Sequence, residues 1–102
     1  MPEFGSPYST LSSSKKVSKE ELIRAIRFFI SAEYEAIQLY EEIAEATDDK
    51  LAKEVLYDIA NEEKVHAGEF LRLLKELDKE EEDFYKEGEK EVEEIIEKLK
   101  IK

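Results

Sequence analysis

Apolar residues recur every three or four positions along two long stretches of the chain, which is the spacing of one face of an α-helix. In the first stretch the positions on this face are Leu22, Ile26, Phe29, Glu33, Ala36, Tyr40 and Ile43, all apolar or aromatic except Glu33. The second repeats at Ala52, Leu56, Ile59, Glu63, His66, Phe70, Leu73 and Leu77. Neither stretch alternates between polar and apolar residues as a half-buried β-strand would. The pattern therefore predicts an all-α fold built on two long amphipathic helices.

Capping residues mark where the first helix begins and ends. Ser18-Lys19-Glu20-Glu21 has the form of a capping box, in which the Ser and the second Glu bond each other's backbone amides. The first helix is therefore predicted from Ser18 to about Ala46. Thr47-Asp48-Asp49 then supplies side chains that favour turns and caps. Together these signals predict an antiparallel two-helix hairpin with its turn around Asp48.

A second and a third helix are predicted after the turn. The second runs from about Asp49 to Leu77, and Asp78 can cap a shorter third helix from Lys79 to about Lys100. Gly88 weakens that third helix and can kink it. Its apolar residues form a narrow stripe, so we interpret it as an arm for contacts and not as part of a site.

The first residues of the chain do not share this periodicity. Residues 1–17 are rich in serine, with Pro2, Gly5 and Pro7, and are predicted to be a disordered tail. Glu3-Phe4-Gly5-Ser6 also has the form of translated cloning sites, so part of the tail is interpreted as a cloning remnant. One domain is predicted over residues 18–102.

Three polar residues, Glu33, Glu63 and His66, interrupt the apolar stripes. A carboxylate in such a stripe is costly unless it is paired, protonated or bound to a cation. Glu33 lies fifteen residues before Asp48 and Glu63 fifteen residues after it, so an antiparallel hairpin places them at the same height. His66 follows Glu63 by three residues and projects from the same face. This arrangement predicts a metal site.

The predicted metal site contains half the ligands of a known class of metal site, the di-iron centre of carboxylate helical bundles. Di-iron carboxylate bundles use a Glu from each of two helices and a Glu-x-x-His motif from each of the other two. This chain supplies one Glu and one Glu-x-x-His, so two copies about a two-fold axis would complete the set. A homodimer that forms a four-helix bundle and holds two iron ions, one per subunit, is therefore predicted. Tyr40 lies two turns from Glu33 and is either a core aromatic or a residue that contacts the ligands.

Composition limits the classes of partner. Of the 102 residues 42% are charged, and the net charge is −11, which disfavours nucleic acid and anionic membranes and attracts cations. There is no cysteine, so thiolate metal sites and disulfides are excluded for this sequence. No apolar run approaches the roughly 20 residues of a membrane span, and we expect a cytoplasmic protein.

Two segments of the sequence resemble the encapsulated ferritins, short relatives of ferritin and rubrerythrin. These segments are Ala32-Glu33-Tyr34-Glu35-Ala36-Ile37-Gln38-Leu39-Tyr40 and Asn61-Glu62-Glu63-Lys64-Val65-His66-Ala67. The resemblance implies a ferritin-like hairpin subunit that dimerises into a four-helix bundle and assembles further into a decamer. It also implies a ferroxidase that oxidises Fe(II) to Fe(III) for iron storage within an encapsulin nanocompartment, with the encapsulin shell as partner.

The same resemblance assigns roles to individual positions. The catalytic iron ligands match Glu33, Glu63 and His66, and the nearby tyrosine matches Tyr40. Glu35 matches one carboxylate of an outer metal site in the family. The companion carboxylate and the neighbouring tryptophan of that outer site fall at Ala32 and Leu39 here.

Two other functions remain open from the sequence. The first is a rubrerythrin-like di-iron peroxidase, although no cysteine is present to hold the electron-transfer iron of such enzymes. The second is a non-catalytic helical oligomerisation module, in which the polar residues only set the register of the helices.

Overall fold

Three α-helices make up the fold in the computed structural model, which describes residues 16–100. They are α1 (Lys19–Ala46), α2 (Lys50–Leu77) and α3 (Lys79–Leu99). The prediction of an all-α hairpin followed by a shorter helix is confirmed, and each observed boundary lies within about one residue of the predicted one. Most of the predicted tail, residues 1–15, and the last two residues, 101–102, lie outside the described residues. Within the described range no helix is long and apolar enough to cross a membrane.

Side-chain caps explain where the two long helices begin. The Ser18 hydroxyl accepts a bond from the Glu21 amide at 3.1 Å, and the Glu21 carboxylate accepts one from the Ser18 amide at 2.8 Å. At the start of α2 the Asp49 carboxylate accepts a bond from the Ala52 amide at 2.8 Å. These bonds satisfy amides that have no partner inside their own helix. The chain therefore reverses direction between Ala46 and Lys50, and α2 runs back along α1.

The contact between α1 and α2 is lined by small and aliphatic residues. The buried residues of α1 are Ala25, Ile26, Ile30, Ile37 and Ala44, and those of α2 are Ala60, Ala67 and Leu74. Near the open end of the hairpin Ile26, Ile30 and Leu74 form one cluster, against which Phe70 packs. At the turn end the Lys53 ammonium donates to the Ala44 carbonyl at 2.6 Å. That bond supplies a cation to the last turn of α1, which has no basic residue of its own.

The residues that line this contact differ in part from the predicted stripe. Phe29 and Ile43 were expected in the core but are 41% and 56% exposed in the single chain, whereas Ile30, Ile37 and Ala44 are buried. Each helix carries two adjacent apolar rows, and periodicity alone does not say which row faces which neighbour. The buried row includes Ala44, Ala60 and Ala67, whose small side chains let the two helices approach closely. Phe29 and Ile43 lie on the neighbouring row and remain exposed.

The third helix leaves the hairpin at a steep angle. It buries none of its residues, and only a single residue, Asp78, separates it from α2. The molecule measures 48 × 45 × 18 Å, so α3 extends sideways from a hairpin that is itself about 42 Å long. Phe84, Val92, Ile95 and Leu99 of α3 are all more than half exposed. The helix therefore lies away from the centre of the hairpin, and its predicted role as an arm for contacts stays a prediction.

Candidate metal centre

Glu33, Glu63 and His66 meet halfway along the hairpin. The His66 Nδ1 atom lies 3.2 Å from a Glu33 carboxylate oxygen and 3.0 Å from a Glu63 carboxylate oxygen. One potential ligand atom from each residue lies within 4.8 Å of the others. The symmetric distances from the turn bring Glu33 level with Glu63, and the spacing of three residues brings His66 beside it. The structure thus gathers the three predicted residues, which form the only such group in the described part of the chain.

The three side chains differ in their exposure to solvent. Those of Glu33 and Glu63 are 14% and 18% exposed, whereas that of His66 is 51% exposed. The two carboxylates therefore lie mostly within the hairpin contact, and the imidazole lies at its edge. A ligand or a second protein chain can approach the group from that open edge.

Electrostatics favour a cation at this position. Burial raises the pKa of Glu33, and the neighbouring carboxylate of Glu63 raises that pKa further, while His66 partly opposes both effects. Two carboxylates thus lie beside one imidazole, and the burial of the negative charge of Glu33 is only partly compensated. A divalent cation would compensate it, and any proton held between the three groups would be released on binding.

We expect Glu33→Gln to raise the thermal stability of the metal-free protein at pH 7. The pKa of Glu33 is raised in the folded state, so folding favours the protonated side chain. The contribution of Glu33 to the free energy of unfolding is therefore fully present only below the ordinary Glu pKa, and it is lost as the pH rises through the pKa of the folded state. The gain from Glu33→Gln should therefore shrink on acidification to pH 4. For a domain of this size about 1 kcal/mol moves Tm by roughly 4–8 °C, so calorimetry with a chelator can measure the effect.

Glu35→Gln is the matched control for that measurement, because it removes the same charge from an exposed position two residues away. It should leave Tm nearly unchanged. An equal Tm for Glu33→Gln and the native chain at pH 7 would show that the buried carboxylate is not electrostatically unfavourable.

An open groove adjoins the two carboxylates of this group. Its volume is about 310 Å³, and both Glu33 and Glu63 line it. The other lining residues are Ala32, Glu35, Ala36, Leu39 and Tyr40. Glu35 is exposed on this groove and does not belong to the group of three ligand residues, so its predicted part in an outer metal site stays a prediction. Tyr40 is partly buried in the same groove.

One polar contact near the centre was not predicted from the sequence. The Lys64 ammonium lies 2.8 Å from the Glu41 carboxylate and so joins α2 to α1 one residue away from Glu63. Both residues lie outside the apolar stripes, and long charged side chains at such positions usually extend into solvent. No sequence pattern distinguished this pair from the many solvated charges of the chain.

Comparison with known proteins places the fold in a family. A sequence model described as Rubrerythrin matches residues 15–102, which is most of the chain. The chain belongs to the rubrerythrin family. The predicted membership of the ferritin and rubrerythrin superfamily is thereby confirmed.

Two curated relatives of this rubrerythrin-family chain have names that refer to encapsulins. The "Ferritin-like-encapsulin shell fusion protein" of Pyrococcus furiosus is 44% identical over 81 residues, which cover 79% of this chain and 24% of that protein. The "Encapsulin nanocompartment cargo protein EncC" of Myxococcus xanthus is 42% identical over 66 residues, covering 65% of this chain and 51% of that protein. The chain thus spans about a quarter and about half of the lengths of these two relatives.

A solved structure shares both the fold and the sequence pattern. The crystal structure of the encapsulated ferritin domain from Pyrococcus furiosus superposes with a TM-score of 0.78 and is 41% identical in sequence. The match covers 85% of this chain and 89% of that one. The ferritin-like character of the three-helix chain is therefore supported along nearly its whole described length.

Proposed function

We propose that this rubrerythrin-family protein is a ferroxidase that binds Fe(II) at Glu33, Glu63 and His66 and oxidises it to Fe(III). The observation that carries the proposal is the meeting of these three side chains at one height of the hairpin, with their ligand atoms within 4.8 Å of one another. Catalysis would use a pair of iron ions, each of which gives up one electron to a shared oxidant.

The donor set fits iron better than the common alternatives. Carboxylate oxygens and one imidazole nitrogen suit Fe(II), and exposure on the His66 side leaves room for further ligands. Structural zinc sites are usually closed by cysteines or several histidines, and neither is available here. Calcium sites use oxygen ligands throughout. The net charge of −11 would also raise the local concentration of cations.

A second copy of the chain would complete the centre. One hairpin holds two carboxylates and one imidazole, which is half the ligand set of a ferritin-like di-iron bundle. The helix that carries Glu33 also carries exposed apolar residues of the kind that a partner hairpin would cover, among them Phe29, Leu39 and Ile43. We therefore propose that two subunits pair about a two-fold axis, with one iron contributed to the centre per subunit. Assembly of such dimers into a decamer remains a proposal from the family resemblance.

The names of the relatives support a place inside an encapsulin compartment. One relative is named as a fusion to an encapsulin shell and the other as an encapsulin cargo protein. We propose that this chain likewise serves iron storage in association with an encapsulin shell, within the cytoplasm. Its acidic surface suits a role in which iron cations must be attracted from solution.

The first test is an anaerobic titration with Fe(II) followed by exposure to oxygen. We expect ferric absorbance to form rapidly and to saturate near one iron per subunit, because each subunit brings one Glu and one Glu-x-x-His to the shared centre. Stopped-flow absorbance and iron analysis after gel filtration provide the two readouts.

Three outcomes would contradict this proposal. Ferric absorbance that rises linearly without saturation would indicate non-specific oxidation on the acidic surface. Absence of bound iron after anaerobic loading would favour the non-catalytic oligomerisation module. Rapid oxidation by hydrogen peroxide but not by oxygen would favour the rubrerythrin-like peroxidase.

A further inference from the structure

The angle at which α3 leaves the hairpin has few determinants within the chain. The helix buries none of its residues, and one non-helical residue, Asp78, serves both as the C-cap of α2 and as the N-cap of α3. Two helices that share a single linking residue can adopt many relative angles, since rotation about the φ and ψ angles of that residue swings one against the other. A contact beyond Asp78 is therefore needed to hold α3 in one direction.

Arg27 of α1 provides that contact. Its Nε atom donates to both carboxylate oxygens of Glu81, at 3.1 and 3.3 Å, and its Nη2 atom also donates to Glu81. The same Nη2 atom lies 3.8 Å from the Asp78 carboxylate. The planar guanidinium thus bridges from the first helix to the first turn of the third and to the linking residue. Such a fork of donors sets the direction of a carboxylate as well as its distance.

Glu81 is itself held in place on α3. The Tyr85 hydroxyl, one turn further along, donates to the Glu81 carboxylate, and the Glu81 amide donates to Asp78 at 3.0 Å. The Glu81 side chain is only 13% exposed, although its helix is largely solvated. Bonding to Arg27 lowers the pKa of Glu81, while burial and the bond to Glu81 raise the pKa of Tyr85 to about 12. Glu81 therefore stays ionised and Tyr85 stays a donor near neutral pH.

We propose that Arg27 is a clamp that fixes the direction of α3 relative to the hairpin. The contact joins residues 54 positions apart in sequence and lies next to the linking residue Asp78. A small change of the angle between the helices at this point moves the far end of α3 by a large distance. The exposed apolar residues Phe84, Ile95 and Leu99 are carried on that arm. Arg27 thus determines the position of these three apolar residues relative to the hairpin. This inference is independent of iron chemistry.

Pulsed electron paramagnetic resonance can measure the angle, because the chain has no cysteine and so accepts spin labels only where they are introduced. Labels at Ser31→Cys on α1 and Glu94→Cys on α3 would report the distance across the link, and both positions are exposed. Labelled subunits diluted about tenfold with unlabelled ones suppress distances between subunits. We expect one narrow distribution in the otherwise native chain and a distribution at least about twice as wide in Arg27→Gln.

Two further variants separate the clamp from general effects of charge. Arg72→Gln removes the same charge from an ion pair with Glu76 that lies within α2 alone, and it should leave the distribution narrow. Arg27→Lys keeps the charge but loses the fork, and it should give an intermediate width. Circular dichroism should show unchanged helicity in all variants.

Three results would overturn the proposal. One is an unchanged width in Arg27→Gln, and another is equal broadening in Arg72→Gln. The third is loss of helicity in Arg27→Gln, which would mean that the contact supports the formation of α3 and not its direction.

Discussion

Glu63→Ala and His66→Ala are each expected to abolish rapid Fe(II) oxidation while leaving the helices intact. Each change would remove one ligand from both halves of the proposed shared centre, because a two-fold axis would repeat the change. Loss of residues that merely support metal ligands typically costs about 10–100-fold, so loss of a ligand should lower the oxidation rate by at least about 100-fold. Stopped-flow ferric absorbance gives the rate, and circular dichroism gives the helix content.

Glu62→Ala is the matched control for these variants. Its side chain is exposed and immediately precedes Glu63, so it removes the same carboxylate without changing the group of three. We expect it to oxidise iron at the native rate. In the metal-free protein Glu63→Ala should not lower stability strongly, since it removes the neighbouring carboxylate that raises the pKa of Glu33. Native oxidation rates in Glu63→Ala or His66→Ala would overturn the assignment of these residues as ligands.

Mixing subunits should reveal whether the centre is shared between two chains. When native subunits exchange with subunits of the double variant Glu63→Ala/His66→Ala, a shared centre works only if both halves are native. Activity is then expected to fall with the square of the native fraction, to about one quarter in an equal mixture. A centre complete within one hairpin would retain about one half. The measurement is the initial oxidation rate across a series of mixing ratios after subunit exchange.

The informative control is a mixture of native subunits with Glu62→Ala subunits. Its activity should remain constant at every ratio, which shows that exchange itself does not inactivate the assembly. Mass spectrometry of the intact oligomers should confirm that exchange is complete. A linear fall with the double variant, under complete exchange, would overturn the proposed dimeric di-iron centre.

Much of the local structure could be predicted because it depends on residues close in sequence. The capping box of Ser18 and Glu21 and the turn at Asp48 depend on side chains that bond amides within a few residues. Together with the Asp78 cap of the third helix, these signals placed all three helices. The meeting of Glu33, Glu63 and His66 was also predictable. In an antiparallel hairpin with a short turn, residues at equal distances from the turn lie at the same height. Their roles as iron ligands remain predictions.

Other features had no local signal. Lys64 and Glu41 are an ion pair across the hairpin, yet in sequence they resemble the many solvated charges of a chain that is 42% charged. Arg27 and Glu81 are 54 residues apart, and neither lies in a pattern that distinguishes it. Contacts between long polar side chains depend on the final positions of two backbones, which periodicity does not specify.

The sequence by itself determined the three helices, the reversal at the turn and the common height of the three polar residues, because these follow from hydrogen bonds and spacings within one element or across one tight turn. Only the tertiary structure decided which apolar row closes the hairpin and in which direction α3 departs. Ile30 and Ile37 are buried while Phe29 and Ile43 stay exposed because two adjacent rows compete for one contact, and close packing against alanines settles the choice. The proposed determinant of the direction of α3 is Arg27, whose partners are the linking residue Asp78 and Glu81 in the first turn of α3, both far from Arg27 in sequence.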